Sequence, residues 1–168
     1  MPGDKGWDLA DSSGFRLGMY QGRPKSRGHV RITSADPPAP AEYTFNHLSA
    51  EEDRQVLMRG MRIAKEIAQA MPAEFQIEEI APGPAGDSDQ GLLDYMRDSA
   101  GTGFHYAGTA RIGTDDMAVV DPQLRVRGVE GLRVVDASVM PVEMTGNIQP
   151  AVLMIGERGA DLIQQANT

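Results

Sequence analysis

Cysteine is absent from this sequence, so neither a disulfide nor a thiolate metal site is available to it. That lack fits a reducing compartment, and a cytoplasmic location is the expectation. Cationic charge is scarce too: 16 Lys and Arg stand against 24 Asp and Glu, a net charge of −8. An acidic surface repels phosphate backbones and offers anionic lipid no polybasic segment, which argues against nucleic-acid and membrane partners. No run of about 18 apolar residues occurs, so no spanning helix is expected. Residues 1–7 hold no basic region followed by an apolar run, and no secretory leader is read there. The three histidines, His29, His47 and His105, lack any H-x-x-x-H or H-x-x-E spacing, so a zinc site is not expected.

Nucleotide-binding and acyl-transfer signatures are missing as well. There is no G-x-G-x-x-G, no G-x-x-x-x-G-K-[ST] and no G-x-S-x-G. None of the glycine clusters lies between a strand and a helix as a dinucleotide cradle requires.

What is present reads as one domain, or one and a fraction, in 168 residues. Residues 1–22 are glycine-rich and without periodicity, so they are expected to be irregular. Residues 29–32 alternate after a turn and read as a strand, residues 34–41 with three prolines as a loop, and residues 43–45 as a second short strand. The best helix starts at Ser49, where Ser49 and Glu52 form a capping-box pattern. Leu57, Met61, Ala64 and Ala68 make its apolar row, widened by Val56, Ile63 and Ile67, and Pro72 stops it. Gly60 costs helix propensity and implies close packing there. Residues 81–87 read as a loop. Ser88 or Asp87 then caps a second helix with Leu92, Leu93 and Met96 inward. Residues 118–120 and 132–135 read as strands. A last helix starts near Pro150, with Gly156, Gly159 and Ala160 as a smooth face for close contact. The fold class expected is α+β: a mixed or antiparallel sheet covered by the 49–71 and 88–100 helices, plus a C-terminal strand–helix unit.

Three positions invite chemistry. His105, set among Gly101, Gly103 and Gly108, has an imidazole suited to taking a proton near neutrality; the plainer alternative is a satisfied loop histidine. Asn147 precedes the last helix and reads as its cap, as a neutral hydrogen-bond partner for a reacting oxygen, or as both. Asp136 ends an apolar strand, where it serves either as a turn acid or, with Ala137, as a cofactor contact at the strand's carboxyl end. Asp115 and Asp116 read as solvated turn charge.

The order of these segments is informative in itself. Residues 23–30 run Arg-Pro-Lys-Ser-Arg-Gly-His-Val; residues 105–113 fit H-x-x-G-T-x-[RK]-[MI]-G; residues 119–138 fit VVDPxLRVxGVxGLRVVDAS; and Thr145-Gly146-Asn147-Ile148-Gln149-Pro150 opens the last helix. Together they cover about residues 22–165 and resemble the C-terminal end of the glucose–methanol–choline (GMC) family of FAD-dependent, choline dehydrogenase-like alcohol oxidoreductases. One departure is Ala110-Arg111-Ile112, where many members have Cys-Arg-Met. The resemblance implies His105 as the catalytic histidine beside the flavin and the substrate hydroxyl, with Asn147 as the second residue of that pair. It implies FAD as cofactor, contacted by Asp136 and Ala137, with Ile148 and Gln149 beside the isoalloxazine. It also divides the chain into a substrate-domain-like part, 23–131, and a return to the flavin domain, 132–168. Since no dinucleotide motif occurs, the expected partner is an N-terminal FAD-binding half or a separate FAD-binding chain, with an alcohol as substrate. The rival is an orphan, non-catalytic piece or a subunit silent until docked; a stand-alone small-molecule binding module has no motif in its favour.

Overall fold

The computed structural model describes residues 13–166. The leader reading of residues 1–7 and the start of the irregular segment lie outside the described residues; residues 13–22 belong to no helix or strand, as expected. The architecture is α+β, with helices and a two-stranded antiparallel sheet. The chain divides into two compact units, each discontinuous in sequence. Among the described residues, one takes 13–21 with Leu48–Gly101, the other Gly22–His47 with 102–166.

The first unit is built on α1 (Glu51–Gln69) and α2 (Asp89–Ser99). The capping box expected at Ser49 does not form: the N-cap is Ala50, and no side chain bonds to the helix start. Ser49 lies one residue before that position, and Arg54 reaches back to the carbonyls of Leu48 and Ser49, at 2.7 and 2.9 Å, which ties the entry to the first turn. The inner face carries Asp53, Met58 and Met61, with Leu57 half-buried. Val56, Ile63 and Ile67 do not widen it; they are exposed. At 3.6 residues per turn they sit about 120–160° round the axis from Met61, too far to share its stripe. Gly60 faces Met19, whose Cγ would lie 3.1 Å from an added Cβ, in keeping with its packing role. Residues 83–87 form a 3-10 turn rather than a plain loop. Ser88 caps α2 by accepting from the Gly91 amide at 3.1 Å. Met58, Met61, Leu92 and Met96 form the core between the helices, and Lys65 pairs with Asp87 and Glu79 at 2.8 and 3.4 Å.

The second unit carries β1 (His29–Arg31) and β2 (Glu42–Thr44), antiparallel with Val30 opposite Tyr43. Gly28 lets its backbone pass against β2: a Cβ there would stand 2.0 Å from the Thr44 carbonyl oxygen. The strands expected at 118–120 and 132–135 are reduced to isolated bridges, Ile112 with Val120, Val120 with Val126 and Arg125 with Arg133. Left-handed backbone at Leu124, Gly128 and Gly131 turns the chain every few residues, so no ladder lengthens. Around these bridges lies the core: Val120, Leu124, Val139, Met140, Ile148, Ile155 and Leu162. The last helix, α3 (Gln149–Ala166), turns Ile155, Gly159 and Leu162 inward. Of its expected smooth face only Gly159 is in close contact, against Val135; Gly156 faces open space and Ala160 is exposed. No helix among the described residues is long and apolar enough to cross a membrane.

Candidate active site

The residues singled out above all belong to the second unit. His105 is exposed, in a segment without helix or strand. Its backbone is shaped on both sides: Phe104 is left-handed at φ 59° with its amide donating to Thr102 Oγ1 at 2.9 Å, and Gly108 is left-handed at φ 88°. A Cβ on Gly108 would stand 3.3 Å from the Met140 carbonyl oxygen, so glycine serves both the conformation and the approach. The segment then runs beside residues 136–140: the Ala110 amide donates to Ser138 O at 2.9 Å and the Ile112 amide to Val139 O at 2.8 Å.

Those bonds bring the histidine box and the Asp136 turn together. Asp136 is exposed and caps a 3-10 turn, Ala137–Val139, by accepting from the Ser138 amide at 2.8 Å. Ala137 is half-buried against the core. α3 packs on the same 3-10 turn. Just before it Asn147 Oδ1 accepts from the Gln149 amide, the first of the helix, at 2.9 Å, so Asn147 serves the helix start from one position outside the N-cap, which Ile148 occupies. Asn147 and Gln149 are exposed, whereas the Ile148 side chain is in the core, so only its backbone is available to a ligand. Among the described residues no hydrogen bond or ion pair joins His105 to Asn147.

Glu143 was not legible as a site residue. It is half-buried, and burial holds its carboxyl above the usual carboxylate range, against the opposing charges of His105 and Arg27. Nothing in its local pattern marks it; only folding brings residues 27, 105 and 143 into one field. Asp115 and Asp116 are exposed, as the solvated reading has it, and Asp115 in addition takes Arg111 in a two-pronged pair at 2.6 and 2.8 Å, which drives its carboxyl far below the ordinary range. Aromatic rings flank the histidine box. Phe45 lies 5.2 Å from both Tyr106 and His47 between ring centroids, nearly parallel to each, and 5.3 Å from Tyr43.

Comparison with known proteins supplies the frame for this geometry. The family model described as GMC oxidoreductase matches residues 24–156. Oxygen-dependent choline dehydrogenase of Escherichia coli O45:K1 (strain S88 / ExPEC) is 44% identical over 161 residues, 95% of this chain and 28% of that protein. The protein of that name from Klebsiella pneumoniae is also 44% identical over 95% of this chain and 29% of its own length. Among solved structures, pyridoxine 4-oxidase from Mesorbium loti superposes with a TM-score of 0.79 at 32% identity, covering 86% of this chain and 28% of that one. A formate oxidase superposes at 0.78 and 33% identity, over 85% of this chain and 26% of its own. The chain thus spans less than a third of the length of the relatives it matches. It belongs to the GMC oxidoreductase family and carries that family's C-terminal part.

Proposed function

We propose that this chain is the C-terminal catalytic portion of an FAD-dependent alcohol oxidoreductase. Residues 23–131 would serve mainly the substrate side and residues 132–168 would complete the flavin-binding side. The observation that carries this reading is the bonding of the His105 box to the Asp136 turn, with α3 packed on that same turn and Asn147 bonded to the first amide of α3. His105 accepts the alcohol's hydroxyl proton at an imidazole nitrogen, a role its exposure permits. The Oδ1 of Asn147 is engaged by Gln149, which leaves its side-chain amide hydrogens to orient the alcohol oxygen. FAD, when bound, would supply the hydride acceptor for the carbon that bears that hydroxyl. The residues present fit one rim of that cofactor: Asp136 and Gln149 are exposed, and the N-terminus of α3 supplies about half a positive charge beside them. They do not fit its pyrophosphate, for which the sequence has no glycine cradle.

The supported role is therefore that of a part acting with an FAD-binding half, whether on one chain or on two. The test is reconstitution: co-expression with a G-x-G-x-x-G-bearing half, and dye reduction driven by simple primary alcohols, choline first because the curated relatives bear its name. Turnover is expected only with both parts. His105→Ala should lower kcat by about 10²–10⁴-fold; near-normal kcat in that variant would overturn the role. Purified alone, the 168-residue chain should show no flavin absorbance; a yellow protein would refute the need for the other half.

A further inference from the structure

We infer that Phe45 is a positioning residue for His105, acting through its ring stack on Tyr106. The inference rests on the reading of His105 as the base. A base must be held in place to be effective, and His105 has few local means of being held. It is exposed, lies in no helix or strand, and follows a left-handed Phe104, a conformation bulky residues rarely adopt. One anchor precedes it, the Phe104 amide on Thr102 Oγ1 at 2.9 Å. The next residue, Tyr106, supplies the other: its ring lies 5.2 Å from that of Phe45, tilted by only 12°. Fixing the Tyr106 ring restricts the backbone torsions between residues 105 and 106, which set where the imidazole's Cα–Cβ bond points.

Phe45 is the braced member of that pair. It directly follows β2, whose pairing with β1 is closed by the tight passage of Gly28 against Thr44 and Phe45. Asn46 Nδ2 ties the next residue to the Arg27 carbonyl at 3.1 Å. His47 stacks on the same ring at 5.2 Å and 15°, and Tyr43 leans on it at 5.3 Å. A hairpin some sixty residues upstream, read from the sequence only as two short strands, thereby reaches the site.

The test uses the chain assembled with its FAD-binding half, carrying Phe45→Leu or Phe45→Tyr. Phe45→Leu should lower kcat about tenfold with KM within about twofold, and Phe45→Tyr, which keeps the ring, should return kcat to within about twofold of the parent. In the 168-residue chain, Phe45→Leu should also move the His105 Cε1–H resonance more than that of His29, as loss of an adjacent stack requires. If Phe45→Leu leaves kcat and the His105 resonance unchanged, or only lowers the urea midpoint, the inference is overturned, while a dead His105→Ala enzyme keeps the base reading intact. If His105→Ala is active, the base reading itself falls, and the two failures are told apart.

Discussion

A methyl group added at Gly159 and one added at Gly156 should move stability in opposite directions, although both glycines sit inside α3 three residues apart. At Gly159 a new Cβ would stand 2.3 Å from Val135 Cγ1, 3.1 Å from Cγ2 and 3.3 Å from Cβ. Rotating the valine cannot clear its own Cβ, so helix or segment must shift. Such overpacking costs about 1–3 kcal/mol. The gain in helix propensity returns about 0.8–1.0 kcal/mol, which leaves Gly159→Ala with a net loss of up to about 2 kcal/mol. At Gly156 nothing lies within 4 Å, so Gly156→Ala keeps the whole gain. Because propensity is common to both, the difference between the two variants isolates the packing penalty. Urea unfolding of the 168-residue chain followed by far-UV circular dichroism reads it directly. With a slope of about 2 kcal/mol per molar, the midpoints should differ by about 0.5–1.5 M. Adding Val135→Ala to Gly159→Ala should recover part of the loss, a coupling of about 0.5 kcal/mol or more. Equal midpoints at unchanged slope would refute the claim that Gly159 is required by Val135.

Other outcomes follow from the same geometry. Ser88→Ala should cost about 1 kcal/mol by removing the bond to Gly91, whereas Ser49→Ala should be near neutral because Ser49 caps nothing; paired urea midpoints test the contrast. The Asp115 carboxyl is depressed by Arg111, so the pair's contribution is present above the unfolded value of about 4 and is lost as pH falls through the lower folded value. The midpoint difference between parent and Asp115→Asn should therefore shrink as pH is lowered below about 4, and a constant difference would count against the pairing. Glu143 is the opposite case: with its folded value raised, ionisation opposes folding, and the favourable contribution is lost as pH rises through that value. Glu143→Gln should thus raise the midpoint at pH 7, by an amount that fades as the pH falls below the unfolded value of about 4, under which Glu143 is protonated in both states. No gain at neutral pH would show that the charges of His105 and Arg27 outweigh burial.

Local signals reached a definite part of this molecule. The α2 cap at Ser88, the apolar row through Met61, the loop prolines and the start of α3 near Pro150 were legible because each rests on interactions within one turn of chain. The same local logic fails at Ser49, where the helix starts one residue later with Ala50 at the N-cap, and at 118–120 and 132–135, where valine-rich runs read as strands. Strand propensity there is real, but left-handed Leu124, Gly128 and Gly131 close turns before a ladder can form. The candidate site divides the same way. His105 and Asn147 stand out by residue type and setting, and Asn147 does bond to the start of α3, through the Gln149 amide.

The sequence by itself determined the family to which this chain belongs, the chemistry its histidine is suited to, and the lack of a pyrophosphate cradle. Those depend on residue identities and short spacings. Tertiary structure alone decided which remote residues lie around the histidine box: the Phe45 ring stacked on Tyr106, the carboxyl of Glu143 in the field of His105 and Arg27, and the carbonyls of Ser138 and Val139 that hold the box. None of these pairings has a sequence period, because they are set by packing around a common core and not by the repeat of a helix or a strand.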